Sequence, residues 1–211
     1  TGIVPDMLMA RSETPAPESI IKKLSLFGGI PEAAIALLPN AATIYQVPLT
    51  LEERGIGEYV VKRLGLKAGK PDLKEWSSLV KSILKSHATT VRVGMVAKYL
   101  DNEDSYFSVV EALRAAAWEQ DVAIEISWIN AEAIEKGKLS FKQIAEQVDG
   151  IIVPGGFGSR GIEGKILAAD WAMYNNIPYL GLCLGMQVAA IAAVRSTGVK
   201  DANSTEFKEK T

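Results

Sequence analysis

The second half of the chain alternates between short apolar runs and segments whose apolar residues recur every three or four positions. The apolar runs predict four strands, at 91–96, 122–128, 150–154 and 177–182. The helical spacing predicts four helices, at 108–119, 140–148, 163–175 and 184–195, and Ser140 is placed to cap the second of them. Strands that alternate with helices predict βαβ units, and therefore a parallel sheet with helices on both faces.

The first 64 residues have fewer elements. We predict strands at 3–9 and 43–47 and helices at 19–27 and 51–64, the last interrupted by Gly55 and Gly57. These are too few elements to close a core, so we interpret the segment as the end of a domain. A stretch containing Gly, Lys and Pro at 65–72 and a helix at 73–84 follow it. The predicted parts are therefore 1–64, a linker and bridging helix at 65–90, and 91–211.

The amino-acid composition excludes some classes of function for this protein. The formal net charge is −2, which gives no general attraction to nucleic acid or to an anionic membrane. No apolar run approaches the roughly 20 residues of a membrane-spanning helix. The single cysteine excludes an internal disulfide and suits a reducing compartment, so we expect a cytoplasmic protein. The chain does not begin with Met and stops just after a charged stretch at 208–211, and we interpret it as a fragment.

Cys183 is the strongest candidate for chemistry. It stands between a predicted strand and a predicted helix, and Gly181 and Gly185 flank it at two positions on either side. Such a turn places a residue at the carboxyl edge of the sheet, where open α/β sheets bind ligands. The helix N-terminus favours a thiolate, and the pattern is that of a nucleophile elbow. The alternative is a buried structural cysteine, the common fate of a lone cysteine.

Two further segments belong to the same edge. Three glycines within 154–158 expose backbone N–H groups, and those of Gly156 and Leu184 are candidates for an oxyanion hole. The alternatives for this loop are a phosphate-binding loop or a plain flexible turn. The segment at 201–207 follows the elbow helix, and Glu206 can hold the amino group of a bound amino acid. By its polar composition alone, that segment is a solvated loop.

These segments resemble a known family. Pro-Gly-Gly-Phe-Gly at 154–158, Gly-Leu-Cys-Leu-Gly-Met-Gln at 181–187 and Asn-Ser-Thr-Glu-Phe at 203–207 resemble the class I glutamine amidotransferase domain of the CTP synthase family. Val-Gly-Met-Val-Ala-Lys-Tyr at 93–99 agrees with it. Three N-terminal segments resemble the end of that family's synthetase domain, at 5–12, 23–27 and 44–48.

The resemblance implies a fold and an activity. The fold is α/β, with a doubly wound, mostly parallel, flavodoxin-like sheet of the class I glutaminase type, preceded by the end of a P-loop-type α/β synthetase domain. The activity is amination of UTP to CTP, with ATP as co-substrate, Mg²⁺ as cofactor and ammonia from glutamine that travels inside the protein. The Mg²⁺ ligands are expected outside this chain, with no metal ligand within it. The resemblance also raises GTP as an effector and a homotetramer as the assembly.

The resemblance assigns residues as well. Cys183 is the nucleophile, and the contacts to glutamine and its oxyanion come from the glycine loop, the elbow helix and the following segment: Gly156, Leu184, Gly185, Met186, Gln187 and Glu206. Lys23 contacts UTP or CTP. The ATP contacts are Arg11, Pro39, Asn40 and Ala41, although the family usually has Asp where this chain has Asn40. From composition alone, Lys23 is a surface helix lysine and Arg11 a charge at a strand end.

Other parts of the family's machinery are not found in the sequence. It has no phosphate loop ending in Lys-Ser/Thr, and the catalytic His and Glu that the family has well downstream of its cysteine are not found. His87 precedes the first strand of the second domain, so we interpret it as a linker residue. We therefore expect the 211 residues alone to hydrolyse glutamine only at background rate. The alternatives are another class I amidotransferase, an amidotransferase-like peptidase, and a flavodoxin-like binding module without catalysis.

Overall fold

The computed structural model describes residues 2–98, 100 and 103–207. The chain divides into two compact units, Thr1–Lys85 and Ser86–Thr211. Two parts of the sequence interpretation lie outside the described residues: Tyr99, the last residue of the motif at 93–99, and the charged stretch at 208–211. The domain limits drawn from the sequence, at 64/65 and 90/91, stay a prediction.

The first unit contains a two-stranded parallel sheet and four α-helices in its described part. Strand β1 (Leu8–Ser12) pairs with β2 (Ile35–Pro39), with Leu8 opposite Ile35. The helices are α1 (Ser19–Gly28), α2 (Val47–Glu53), α3 (Ile56–Arg63) and α4 (Lys74–Leu84). The apolar run of β2 is buried at Ile35, Ala36 and Leu37, as expected for a strand covered on both faces.

One predicted strand of this unit is wrong. Residues 43–47 form no strand: Ile44–Gln46 is a 3₁₀ turn, and α2 begins at Val47. The Thr43 hydroxyl accepts a hydrogen bond from the backbone N–H of Tyr45 at 3.4 Å, which caps the turn. Pro48 then lies in the first turn of α2, where a backbone N–H is not needed. The strand predicted at 3–9 lies further along, at Leu8–Ser12, and β2 was not predicted.

The remaining elements of the first unit agree with the sequence. The helix predicted at 51–64 is broken at Gly55, whose φ of 71° is in the left-handed region. Helix α4 is held to this unit by Trp76, whose Nε1 donates to the carbonyl oxygen of Tyr45 at 2.7 Å. The Trp76 and Tyr45 rings also pack against each other, with their centroids 6.1 Å apart. The predicted helix at 73–84 is therefore present, and it packs against the rest of the first unit.

The second unit is a four-stranded parallel sheet in the order β4–β3–β5–β6. The strands are β3 (Thr90–Ala97), β4 (Ala123–Asn130), β5 (Gly150–Val153) and β6 (Tyr179–Gly181). The helices are α5 (Phe107–Glu119), α6 (Ala131–Glu135), α7 (Phe141–Ala145), α8 (Ile162–Tyr174) and α9 (Leu184–Ser196). The predicted strands and helices are confirmed within about two residues for most boundaries, and Ser140 caps α7 with a capping box. The short helix α6 was not predicted.

Alternate residues of the central strands face two different cores. Val96, Ile151 and Val153 belong to the larger cluster, to which α6, α7, α8 and α9 contribute. Met95 and Ile152 belong to the smaller cluster, against which residues of α5 pack. Helices therefore cover both faces of a parallel sheet, and the predicted doubly wound α/β fold is confirmed for this unit.

Among the described residues, no helix is both long and apolar enough to cross a bilayer.

Candidate active site

Cys183 lies at the turn between strand β6 and helix α9. Its backbone has φ 53° and ψ −107°, a conformation that residues with a side chain rarely adopt. The residue is exposed, which excludes the alternative of a buried structural cysteine. An exposed residue held in a strained strand-to-helix turn has the geometry of a nucleophile elbow.

Two glycines make this turn possible. A Cβ on Gly185 would lie 1.8 Å from the carbonyl oxygen of Val153, in the neighbouring strand β5. A Cβ on Gly181 would lie 2.5 Å from the carbonyl carbon of Gly185. Both clashes are with backbone atoms, which cannot move aside as a flexible side chain can. The close approach of helix to strand, and with it the position of Cys183, therefore requires glycine at both positions.

The first turn of α9 leaves one N–H available beside the sulfur. Gly185 donates its N–H to the carbonyl oxygen of Leu182, and Met186 and Gln187 donate theirs to that of Cys183. Within the described part of the chain, the N–H of Leu184 has no hydrogen-bond partner. The first N–H groups of a helix are unpaired unless something caps them, and they favour negative charge. Leu184 is therefore suited to its predicted role as an oxyanion donor.

The glycine loop lies against the cysteine. A Cβ on Gly155 would be 3.6 Å from Cys183 Cβ and 4.0 Å from Cys183 Sγ. A Cβ on Gly156 would be 3.8 Å from Leu184 Cδ2. Among the described residues, the N–H groups of Gly155 and Gly156 have no hydrogen-bond partner. The structure thus brings together the cysteine, the glycine loop and the start of α9, as the sequence predicted.

Two buried lysines contact the back of this loop, and the sequence analysis missed both. Lys165 on α8 is fully buried and donates to the carbonyl oxygen of Pro154 at 2.9 Å. Lys98, at 6% exposure, donates to the carbonyl oxygens of Phe157 and of Gly158, the latter at 3.1 Å. The sequence signal is weak: each lysine stands in an apolar setting, Val-Ala-Lys after β3 and Lys-Ile-Leu in α8.

Burial changes the charge properties of both lysines. Burial lowers the pKa of Lys165 to about 8, and the positive charge of Lys98 contributes to that shift. Burial also lowers the pKa of Lys98; the guanidinium of Arg160 acts in the same direction, while the Glu132 carboxylate acts against it. Removing an ammonium group from water is costly, so these lysines need a structural or functional reason to be here.

The other predicted glutamine contacts are exposed. Met186 and Gln187 lie in the first turn of α9 and point into solvent. Glu206 is exposed in a short 3₁₀ turn, Thr205–Phe207, and its side chain makes no hydrogen bond to the described residues. Phe207 packs against the larger core cluster, which fixes the end of this segment. The contact of Glu206 with glutamine stays a prediction.

Arg195 ties that segment to two helices. From the last turn of α9, its guanidinium donates to both carboxylate oxygens of Glu163 on α8, at 2.7 and 2.8 Å. Its Nε donates to the carbonyl oxygen of Ala202 at 2.9 Å. The hydrogen bond from Arg195 lowers the pKa of Glu163, which keeps this carboxylate charged. Sequence reasoning did not single out either residue.

His87 lies far from the cysteine along the sheet. It precedes the first residue of β3, at the amino edge of the strands, and its Nδ1 is 2.9 Å from Asp121 Oδ1. Cys183 follows the last residue of β6, at the carboxyl edge. His87 therefore does not contribute to the site.

The nucleotide-contact residues predicted in the first unit are partly assembled. Arg11 on β1 donates through Nε to Asn40 Oδ1 at 2.8 Å, and the Asn40 N–H donates to the carbonyl oxygen of Ser12. Pro39 ends β2, and Ala41 follows in the same loop. Lys23 is exposed on α1 and makes no hydrogen bond or ion pair to the described residues. These nucleotide assignments remain predictions.

Comparisons with known proteins decide the family. The model of class I glutamine amidotransferases matches residues 101–211, and the model of the CTP synthase N-terminus matches residues 1–66. The chain belongs to the CTP synthase family. It is 47% identical over 208 residues to a CTP synthase of Carboxydothermus hydrogenoformans, covering 98% of this chain and 38% of that relative. It is also 47% identical over 211 residues to that of Chloroflexus aurantiacus, covering 100% of this chain and 38% of the relative.

A solved structure is similar as well. It is the glutaminase domain of Trypanosoma brucei CTPS with bound acivicin, with 40% identity and a TM-score of 0.49, covering 57% of this chain and 47% of that one. The chain spans about two fifths of the length of its curated CTP synthase relatives. The two family-model matches confirm the predicted membership of this family.

Proposed function

We propose that the protein is a glutamine-dependent CTP synthase whose second unit releases ammonia from glutamine at Cys183. The observation that carries the proposal is the backbone of Cys183, which has a positive φ of 53° at a strand-to-helix turn and presents an exposed thiol, with a glycine loop against its sulfur. The relatives named CTP synthase, which match the chain over nearly its whole length, support the same activity.

The geometry supports the following reaction. The Cys183 thiolate attacks the carbon of the glutamine side-chain amide, and the carbonyl electrons move onto oxygen. The N–H groups of Gly156 and Leu184 stabilise that oxyanion. Its collapse breaks the carbon–nitrogen bond, the amide nitrogen takes one proton from water and leaves as ammonia, and a γ-glutamyl thioester remains on Cys183. Water then hydrolyses the thioester to glutamate, which restores the thiol.

The experiment uses the full-length enzyme with Cys183→Ala. We expect glutamine-dependent CTP formation to fall to background, while CTP formation from added ammonia stays within about twofold of wild type. Ammonia enters after the step that needs the thiol, so only the glutamine reaction should depend on it. Equal loss of both activities in a folded variant would contradict the role of Cys183. Ammonia release from glutamine without any CTP from UTP and ATP would indicate another amidotransferase.

For the first unit, we propose contacts with the nucleotides. Lys23 would contact UTP or CTP, and Arg11, Pro39, Asn40 and Ala41 would contact ATP. The match of residues 1–66 to the CTP synthase N-terminus supports this, as does the Arg11–Asn40 hydrogen bond that holds the two segments together. Glutamine, UTP and ATP are then the substrates.

The remaining parts of the proposal are drawn from the family resemblance alone. They are Mg²⁺ as cofactor, GTP as an effector, a homotetramer as the assembly and a cytoplasmic location. The described residues include no cluster of three or more His, Cys, Asp or Glu side chains that fits a metal ion. We therefore assign no Mg²⁺ ligand and no metal-dependent step to them.

A further inference from the structure

The two buried lysines behind the glycine loop are the feature that the proposed reaction leaves unexplained. Lys165 is fully buried, and the only hydrogen-bond partner of its ammonium group among the described residues is the carbonyl oxygen of Pro154. An ammonium group pays a large desolvation penalty in such a place, and a neutral carbonyl compensates for only part of it. Packing alone would be satisfied by methionine, which has a similar length and no charge.

The lysines hold three carbonyl groups within one five-residue segment. Lys165 holds that of Pro154, and Lys98 holds those of Phe157 and Gly158. The Gly155–Gly156 peptide therefore lies between two anchored points. Glycine adds no side chain that would fix such a loop, so the anchors replace the packing that other residues would supply.

The anchors also decide which way the N–H groups point. In a trans peptide the C=O of one residue and the N–H of the next point in opposite directions. With the Pro154 carbonyl turned toward the buried Lys165, the Gly155 N–H is turned away from the core. Gly155 is also the residue whose Cβ position lies 4.0 Å from Cys183 Sγ. Lys98 lies against Gly156 as well, because a Cβ there would be 3.0 Å from Lys98 Cε.

We propose that Lys98 and Lys165 are positioning residues of the glutaminase reaction, which hold the glycine loop so that its N–H groups meet the oxyanion formed at Cys183. This inference rests on the proposed function. The proposed role requires no contact of either lysine with glutamine or the reacting atoms. They act through the carbonyl groups of the loop, and the transition state gains more from them than the bound substrate does.

The experiment compares Lys165→Met, Lys98→Met and Lys98→Arg with wild type in the full-length enzyme. Lys142→Met is the matched control, because Lys142 is an exposed lysine in the same unit. Three measurements are made: steady-state kinetics of glutamine hydrolysis, which give kcat and KM; the rate of Cys183 alkylation by iodoacetamide; and amide hydrogen exchange at 155–161. Iodoacetamide loses iodide by direct displacement at carbon and forms no oxyanion, so it reports the thiolate alone.

We expect the two methionine variants to lower kcat roughly tenfold to a hundredfold with KM within about threefold. A misplaced oxyanion donor should cost less than a deleted one, which costs about 10² to 10³. Alkylation should stay within about twofold, and exchange at 155–161 should become faster. Lys98→Arg keeps a cationic donor and should recover a large part of kcat. Lys142→Met should match wild type in all three measurements.

Two outcomes would overturn the inference. Unchanged exchange at 155–161 in both methionine variants would show that the lysines do not hold the loop. A parallel loss of alkylation and hydrolysis would show a general structural role instead. The exchange measurement does not depend on catalysis, so the inference stays testable if wild type proves not to hydrolyse glutamine. A wild-type enzyme that does not hydrolyse glutamine would contradict the proposed function itself.

Discussion

At the scale of single residues, the position of Cys183 depends on neighbouring glycines, which have no side chain. Gly185 faces the carbonyl oxygen of Val153 at a distance that admits no carbon atom. Hydrogen bonds support the same contact, because the Tyr179 hydroxyl donates to the carbonyl oxygen of Gly185 at 2.7 Å. Burial raises the pKa of Tyr179, which keeps this hydroxyl protonated as a donor.

Gly185→Ala should therefore damage both stability and reactivity. We expect it to destabilise the fold by about 3 kcal/mol or more, since neither helix α9 nor strand β5 can move without breaking other contacts. Gly69→Ala is the matched control, because a Cβ at Gly69 meets no atom within 4 Å. Thermal unfolding and iodoacetamide alkylation of Cys183 measure the two effects. A Gly185→Ala protein as stable and as reactive as the Gly69→Ala protein would contradict this account of the turn.

A second prediction concerns the charge of Lys165. Its pKa is lowered to about 8 in the folded protein, whereas an unfolded lysine has its ordinary value of 10.5. Between these values the unfolded chain binds more protons than the folded one, so this residue makes folding more favourable as pH rises. Below pH 8 the buried charge exerts its full destabilising effect, and above about 10.5 that effect is gone.

Lys165→Met removes this contribution to the pH dependence. From pH 8 to 10.5, wild type should therefore gain stability relative to Lys165→Met, by about 3 kcal/mol at most. The comparison uses denaturant unfolding of both proteins at several pH values, with Lys142→Met as the exposed control. Groups that titrate equally in both proteins cancel in the difference. A stability gap that stays constant over this range would show that Lys165 titrates as a solvated lysine does.

The buried lysines are also the residues of the candidate site that could not be predicted from the sequence. Cys183, Gly156 and Leu184 could be predicted, because a strand, a turn with flanking glycines and a helix have a recognisable spacing. Lysine, in contrast, is almost always exposed, and only the apolar residues next to Lys165, a weak signal, separate it from the solvated Lys142 in the sequence. The tertiary structure brings Lys165 to Pro154, eleven residues earlier in the chain, and only that contact gives it a role.

At the scale of elements, the second unit could be predicted well and the first unit less so. Strand β5 and the second half of β3 are apolar on both faces, and α5, α8 and α9 have apolar residues at helical spacing, so periodicity predicted them. Helix α6, with five residues, is too short for such a pattern. The run at 43–47 is rich in strand-forming residues, but Thr43 caps a turn and Pro48 lies in the first turn of helix α2. Local hydrogen bonding and proline geometry outweighed the propensity there. Strand order and register depend on long-range pairing, which periodicity does not contain.

The Arg195–Glu163 pair gives an element-scale prediction. It joins α9 to α8 and, through Ala202, fixes the segment that carries Glu206. In the full-length enzyme, Arg195→Met should raise KM for glutamine roughly fivefold to tenfold, with a smaller change in kcat, since a ground-state contact would be misplaced. Glu163→Gln keeps a hydrogen-bond acceptor for Arg195 and leaves the Ala202 bond in place, so it should raise KM less.

Two measurements test whether Arg195 holds the segment at 202–207 in place. Steady-state kinetics give the separate changes in KM and kcat, and amide hydrogen exchange at 202–207 reports the order of the segment. Faster exchange at 202–207 together with a higher KM would support this role of Arg195. A normal KM in Arg195→Met despite faster exchange would show that this segment does not bind glutamine.

At the scale of the whole molecule, the two units divide the proposed chemistry. The glutamine amidotransferase match and the cysteine elbow belong to the second unit, while the match to the CTP synthase N-terminus belongs to the first. In the second unit all four strands are parallel, so every carboxyl end lies at one edge. This arrangement gathers segments distant in sequence, 154–158 and 181–187, into one site.

The same parallel arrangement yields a prediction about the only histidine in the chain. His87 precedes β3, whose eight residues span roughly 25 Å at about 3.3 Å per residue. A general base must come within hydrogen-bond reach of the proton that it moves, so His87 cannot serve Cys183. Its side chain is only 8% exposed and is paired with Asp121, which indicates a structural role.

His87→Ala should therefore separate stability from catalysis. In the full-length enzyme we expect kcat and KM for glutamine hydrolysis to stay within about twofold of wild type. The unfolding free energy should fall by about 1 kcal/mol, because the variant loses the hydrogen bond to Asp121. Kinetics and thermal unfolding on the same preparation provide both numbers. A loss of kcat beyond tenfold with unchanged unfolding would mean that His87 takes part in proton transfer, and that the edge-to-edge separation derived from the sheet does not hold in the working enzyme.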